Sequence, residues 1–212
     1  MAAVLNRSEP TTQKVILHDI SWETYERLLA EHQEGSSTRF AYDRGMLEIM
    51  ILSLRHERFK ERLMMLVGVI AEELEIDIEG VGSTTFRRED LARGFEPDAC
   101  YYLTKAEYIR HKDDIDLAVD PPPELVIEID ITSPSLNKFP ILVAMGVLEV
   151  WHFDGAQVDL FRLGEGKYVK VDESTALPDV ASLVINRLLE ASKTLKRTDW
   201  LRLVRESVRS GA

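Results

Sequence analysis

The stretch Pro122–Asp154, PPELVIEIDITSPSLNKFPILVAMGVLEVWHFD, decides the fold. Its prolines end any preceding helix, and Leu125–Ile131 is then a nearly continuous β-branched run, typical of a strand covered on both faces. A short helix is predicted over Leu136–Met145, capped by Gly146, before a second apolar strand over Val147–Phe153. Because strand, helix and strand form a right-handed βαβ unit, the pattern predicts an α/β fold with a mixed sheet.

Two acidic residues, Glu128 and Asp130, interrupt the first of these strands. They are two positions apart, so both side chains point to the same face of the strand. Burying an unpaired carboxylate is costly, so the pair requires a metal ion, a basic partner or a cleft open to water. The spacing leaves one alternative open, which is an exposed strand edge carrying two solvated acids.

The composition is that of an ordinary globular protein. The chain has 212 residues, of which 45% are hydrophobic and 30% charged, enough for one substantial core. The single cysteine, Cys100, excludes internal disulfide bonds and favours a reducing compartment. No apolar signal segment opens the chain, and the longest apolar run, Leu63–Ala71, is too short to cross a membrane. We therefore expect a cytoplasmic protein that does not enter a membrane.

The charge distribution bears on possible partners. The net charge of −11 argues against broad nonspecific binding to nucleic acid, which uses a cationic surface. It does not exclude a nuclease, because a divalent cation offsets the charge of clustered acids and of a phosphate. Residues 187–209 have the opposite sign, with seven basic and three acidic residues (7 − 3 = +4). This segment is predicted to contact nucleic acid or a partner subunit, or to be a solvated helix.

Further elements follow from periodicity and caps. Long amphipathic patterns predict helices over Trp22–Glu31 and about Leu54–Leu74. The sequence before Trp22 begins with a polar tail. The other predicted elements are strands over Arg39–Tyr42 and Met46–Leu52, a hairpin of Val158–Leu163 with Tyr168–Val171, and helical sequence over Ala181–Val208 that breaks near Thr198.

Three segments of the chain resemble a known family. They are Glu-Ile-Asp-Ile-Thr from Glu128, Lys-Phe-Pro-Ile from Lys138, and Gly-Val-x-Glu-Val-Trp from Gly146. Together they resemble the Uma-two family of endonucleases, a branch of the PD-(D/E)xK restriction-endonuclease-like superfamily. The resemblance extends over about Trp22–Leu188 and implies a mixed central sheet flanked by helices. It divides the chain into an N-terminal tail (1–14), a restriction-endonuclease-like domain (15–180) and a C-terminal helical extension (181–212).

The resemblance implies a metal site. Asp98, within Glu-Pro-Asp-Ala, matches the first acid of the superfamily, and Glu128 matches the second. Pairing of the strand after Asp98 with the strand of Glu128 would bring these acids together. With the Ile129 carbonyl and waters they would hold Mg²⁺ or Mn²⁺, which prefer oxygen ligands.

The remaining site residues also come from the resemblance. The superfamily places a lysine two residues after the glutamate, where this chain has Asp130. Lys138, on the following helix, matches the lysine that takes this role in the family, where it would orient the attacking water and stabilise charge on the phosphate. Asp130 would pair with Lys138 or bind a second metal ion. His56 would contact phosphate or a metal-bound water, or else be a surface histidine that begins a helix.

Three functions are compatible with these observations. The resemblance implies a metal-dependent endonuclease that hydrolyses phosphodiester bonds in DNA, and we expect this protein to be a homodimer. The acidic charge, together with Leu142 where the resemblance predicts a tyrosine, suggests an inactive nuclease fold that binds nucleic acid or protein. A structural dimer, assembled through edge strands and the C-terminal helix, is the third.

Overall fold

Two β-sheets and six helices make up the described part of the chain, residues 13–32, 38–131 and 136–211 of a computed structural model. The strands are β1 Gln13–Leu17, β2 Thr38–Asp43, β3 Met46–Ile51, β4 Glu79–Gly80, β5 Phe86–Arg88, β6 Arg93–Phe95, β7 Ala99–Tyr102, β8 Leu125–Ile129, β9 Glu149–Phe153, β10 Val158–Gly164 and β11 Lys167–Val171. The helices are α1 Trp22–Glu31, α2 Leu54–Glu73, α3 Ala106–Ile109, α4 Phe139–Met145, α5 Ser182–Ala191 and α6 Arg197–Arg209. The predicted α/β class is confirmed.

The larger sheet has the order β11-β10-β9-β8-β7-β4. Strands β8 and β9 are parallel and joined through α4, as the βαβ pattern predicted, whereas the other neighbours in this sheet are antiparallel. In the parallel pair, Glu128 lies opposite His152. Gly146 ends α4 with φ +80°, a left-handed conformation that favours glycine. This unit places the acids of β8 beside the start of α4.

Helices α2, α5 and α6 cover one face of this sheet. Their apolar side chains pack against those of β8 and β9 in a core that includes Leu66, Ile127, Trp151 and Trp200. The C-terminal helical sequence is broken, as predicted. The break falls at residues 192–196, between α5 and α6, whereas the prediction placed it near Thr198. The C-terminal helices therefore pack into the main core. The predicted boundary at residue 181 stays a prediction.

A second sheet lies on the other side. The sequence predicted two of its strands, β2 and β3, but not that they belong to a separate sheet. It is antiparallel with the order β1-β3-β2-β6-β5, and its strands β5 and β6 have only three residues each. Side chains from this sheet, among them Phe86 and Phe95, pack with α4 and with Val126 and Val150 of the larger sheet. The second sheet therefore packs with α4 and with the face of the larger sheet that carries Val126 and Val150.

Two boundaries differ from prediction where they matter for the site. Strand β1 begins at Gln13, inside the predicted tail, because this segment pairs with β3 at the edge of the second sheet. Helix α4 begins at Phe139, not at residue 136, because Pro140 is tolerated only in the first helical turn. Lys138 is therefore the residue just before the helix. No helix in the described ranges combines the length and apolarity needed to cross a membrane.

Candidate active site

A cleft of about 330 Å³ opens at the carboxyl ends of β8 and β9. We call it the β8–β9 cleft. Glu128, Ile129 and Asp130 line it from β8, and Lys138 lines it from the segment before α4. Lys14 of β1 and Met50 of β3 line the opposite side. The carboxyl ends of parallel strands are where α/β sheets bind their ligands, so the cleft is the candidate active site.

The two predicted metal ligands lie next to each other. Strand β7 pairs with β8 so that Ala99 is opposite Ile127, and Asp98 and Glu128 extend this register. The Ile129 backbone N–H donates a hydrogen bond to Asp98 Oδ2 at 2.7 Å. Asp98 is 1% exposed and Glu128 is 5% exposed. In the described part of the chain, Glu128 Oε1 has no hydrogen-bond partner, and Asp98 Oδ1 has only His56 Nε2 near it, 3.2 Å away but poorly aligned for a hydrogen bond. A buried carboxylate oxygen without a good hydrogen bond favours a cation or a water nearby.

Each acid of the cleft has a lysine partner. Lys138 Nζ lies 2.5 Å from Glu128 Oε2. Asp130 Oδ1 accepts a hydrogen bond from Lys14 Nζ at 2.6 Å, so the pairing of Asp130 with Lys138 that the sequence suggested is replaced by two separate pairs. The sequence did not indicate Lys14 as a site residue, because it lies in the segment 1–14 that was predicted to be a tail. It crosses from one sheet to the other and joins them at the cleft.

Burial and charge shift the proton affinities of these groups. Burial raises the pKa of Glu128 to about 7, Lys138 opposes this shift, and the charges of Asp98 and Glu48 add to it. Burial disfavours the Lys138 ammonium, but Glu128 and Asp98 outweigh burial and raise its pKa. Burial would also raise the pKa of Asp98, yet His56 and Lys138 hold it below its usual value. Lys138 therefore stays charged while Glu128 is poised near neutral pH.

His56 lies behind Asp98. Its side chain is fully buried in the first turn of α2, which begins after the Ser53 cap. Its Nε2 is 3.2 Å from Asp98 Oδ1. The alternative of a surface histidine is therefore wrong. Because His56 contacts Asp98 directly, its position is suited to orienting that carboxylate, and a role toward phosphate stays a prediction.

A third buried acid, Glu48, was missed. It lies on β3, is 2% exposed and accepts a hydrogen bond from the Leu136 backbone N–H at 2.7 Å. This contact anchors the segment that leads to Lys138. An acid inside the apolar run Met46–Ile51 is the same signal that singled out Glu128, so the pattern could have found it. Residues 132–135, which follow Ile131, lie outside the described residues.

The arrangement fits a hard divalent cation. Two adjacent carboxylates each offer an oxygen without a hydrogen bond, and the Ile129 backbone lies beside both. Within the described ranges, no group of three or more His, Cys, Asp or Glu side chains could hold a metal ion. Mg²⁺ usually keeps several waters and uses one or two carboxylates, so this donor set is sufficient.

Comparisons with known proteins identify the family and a similar fold. A model of the Uma2 family, described as "Putative restriction endonuclease", matches residues 22–192. The crystal structure of "a putative nuclease belonging to DUF820" from Anabaena variabilis ATCC 29413 has a similar fold, with a TM-score of 0.55 and 14% sequence identity over 80% of this chain and 99% of that chain. No curated protein matches the chain. Because the family model spans most of the sequence, including Asp98, Glu128 and Lys138, the chain belongs to the Uma2 family.

Proposed function

We propose that the protein is a metal-dependent endonuclease that hydrolyses phosphodiester bonds in DNA. The observation that carries the proposal is the pair of buried carboxylates, Asp98 and Glu128, with a lysine on the second. Phosphodiester hydrolysis requires neutralisation of the charge that develops on the phosphate and a deprotonated water for the attack. Family membership supports this chemistry.

Asp98 and Glu128, with the Ile129 carbonyl, would hold Mg²⁺ or Mn²⁺. When bound, the ion would supply Lewis acidity toward a phosphate oxygen and lower the pKa of water. The residues of the chain supply the rest. His56, with its Nε2 3.2 Å from Asp98 Oδ1, would help to hold the Asp98 carboxylate in place.

Lys138 is the proposed catalytic cation. Its raised pKa keeps the ammonium charged at neutral pH. From its position on the cleft it can donate hydrogen bonds to a phosphate oxygen and to the attacking water. The neighbouring Asp130 is occupied by Lys14, so its proposed part is to position that lysine.

The test is incubation of the purified protein with plasmid DNA and Mg²⁺ or Mn²⁺, with EDTA in parallel. We expect nicking or linearisation that EDTA abolishes. Lys138→Met should abolish cleavage, and Lys167→Met, an exposed lysine on β11, should cut at the wild-type rate. If Lys138→Met cuts as fast as wild type, the proposed lysine mechanism is wrong.

A second function is favoured by two observations. The ion pair of Lys138 with Glu128 occupies one oxygen of a proposed metal ligand, and the net charge of −11 opposes a long DNA footprint. Both are compatible with an inactive nuclease fold that binds nucleic acid or a protein. DNA binding without cleavage under any divalent cation would favour this function over the nuclease.

Assembly and location are further proposals. We propose a homodimer that forms through the edge of the second sheet, where Val15, Leu17 and Ile51 are exposed among the described residues. Light scattering of the purified protein measures the mass of the particle in solution and so tests the homodimer. We propose a cytoplasmic location because the buried Cys100 is a free thiol.

A further inference from the structure

The β8–β9 cleft is lined by an aromatic wall as well as by charged residues. Phe139, His152 and Phe161 line it and are each half-buried. The three rings contact one another: the Phe139 centroid is 4.9 Å from that of Phe161 and 6.1 Å from that of His152, and the last two are 6.5 Å apart. Neither the proposed metal site nor Lys138 uses these rings.

The sheet register places this wall beside Glu128. On the same face of the sheet, Glu128 lies opposite His152 of β9, and Val150 of β9 lies opposite Phe161 of β10. Neighbouring strands are about 4.8 Å apart, so Phe161 is about two strand spacings, or roughly 10 Å, from the strand of Glu128. Lys14 and Lys138 border the acid end. The cleft therefore presents cations and aromatic rings within about two strand spacings of each other.

These dimensions suit one nucleotide. A cleft of about 330 Å³ is at the small end of ligand pockets, which span roughly 300–1,000 Å³. Since Glu128 is 5% exposed, a phosphate reaches its carboxylate only by entering the cleft. The bases of a continuous duplex remain stacked inside the helix and present only their edges in the grooves, so they cannot contact the aromatic wall.

We infer that the β8–β9 cleft binds one unpaired nucleotide of DNA, with its phosphate at Lys14 and Lys138 and its base against Phe139, Phe161 and His152. The inference rests on the proposed function and names its substrate class: single-stranded DNA, or a nucleotide extruded from a duplex. Every base has a π-face, so recognition by stacking tolerates different sequences. A continuous duplex pays the cost of unstacking before it binds.

Fluorescence anisotropy of labelled oligonucleotides tests the inference without cleavage. The probes are one 12-nucleotide single strand, its continuous duplex and the same duplex with a single unpaired nucleotide. Ca²⁺ replaces Mg²⁺ as an oxygen-binding cation, and gels confirm that the recovered DNA is intact. We expect the single strand and the bulged duplex to bind at least about tenfold more tightly than the continuous duplex, since unstacking costs a few kcal/mol. Equal affinity for all three probes overturns the inference.

Phe161→Leu removes the ring but keeps an apolar side chain in the sheet. Loss of a stacked base should weaken single-strand binding roughly 5- to 150-fold and change duplex binding less than about twofold. Tyr108→Leu is the matched control, because Tyr108 is a half-exposed aromatic residue on α3, outside the cleft. Unchanged single-strand binding by folded Phe161→Leu, or an equal loss for all probes, overturns the inference.

A competition experiment with the wild-type protein is independent of any variant. Deoxyadenosine 5′-monophosphate should displace the labelled single strand at a concentration at least about fivefold lower than deoxyribose 5-phosphate, because only the nucleotide has a base to stack. Equal potency of the two compounds overturns the base site. Failure of DNA cleavage under Mg²⁺ or Mn²⁺ with nucleotide binding intact would count against the proposed nuclease activity alone.

Discussion

Replacing Lys138 with methionine should destabilise the protein by an amount that grows with pH. The variant keeps the length of the side chain but removes the ammonium from the buried Glu128 carboxylate, 2.5 Å away. In the wild type, burial raises the pKa of Glu128 to about 7, although Lys138 opposes the shift. Without Lys138 the pKa of Glu128 should rise further, because desolvation and the charges of Asp98 and Glu48 then act unopposed.

Proton linkage gives the sign and the size of this change in the free energy of unfolding. Above pH 7 the folded variant retains a proton on Glu128 that the folded wild type has lost, and the unfolded chains titrate alike. The free energy of unfolding of the variant must then fall relative to wild type by up to about 1.4 kcal/mol per pH unit. Near pH 6, Glu128 is protonated in both proteins and the ion pair contributes little. By pH 9 the extra destabilisation should approach roughly 3 kcal/mol, similar to the cost of breaking a buried ion pair.

Urea denaturation at pH 6, 7, 8 and 9, followed by circular dichroism, measures this difference. Lys167→Met, an exposed lysine on β11, should show no pH-dependent difference from wild type. Adding Glu128→Gln to Lys138→Met should remove the pH dependence, because the titrating carboxyl is then absent. A destabilisation by Lys138→Met that is constant from pH 6 to 9, or larger at pH 6, would refute the reasoning.

Three further outcomes are expected. Calorimetric titration should show that the protein binds Mn²⁺. Asp98→Ala and Glu128→Ala should each lower this affinity at least about tenfold, since each removes a proposed oxygen ligand. Unchanged Mn²⁺ affinity in both variants would exclude the metal site. Lys14→Met should weaken DNA binding and reduce its salt dependence by about one phosphate contact, with Mn²⁺ affinity retained, and a wild-type salt slope would exclude a phosphate contact. Glu48→Ala should lower the free energy of unfolding by about 1–3 kcal/mol, because the Leu136 N–H loses its acceptor. Glu48→Gln keeps an acceptor oxygen and should lower the free energy of unfolding by less. Equal effects of the two variants would assign the destabilisation to the lost charge.

Much of the chain could be predicted from local patterns. The βαβ unit, the length of α2 and the cap at Gly146 depend on residues close together in the sequence, where periodicity and capping chemistry operate. The family resemblance named Asp98, Glu128 and Lys138, and the structure places these three side chains together. Their metal and catalytic roles stay predictions.

Other features depended on contacts between distant segments. Strands β2 and β3 were predicted, but β5 and β6 have three residues each, which is too short for a pattern to show. Their assembly with β2 and β3 into a second sheet was therefore missed. The partner of Asp130 is Lys14, 116 residues away, and Glu48 binds a backbone N–H 88 residues away.

The sequence by itself determined the α/β class, the strand that carries Glu128 and Asp130, and the requirement that these acids have partners. Only the tertiary structure decided which cation each acid pairs with and that His56 is buried behind Asp98. The reason is that an apolar pattern specifies which face of an element is buried, whereas a charged side chain can pair with any opposite charge that packing brings near. The packing of the two sheets makes that choice, because it brings Lys14 to the end of β8.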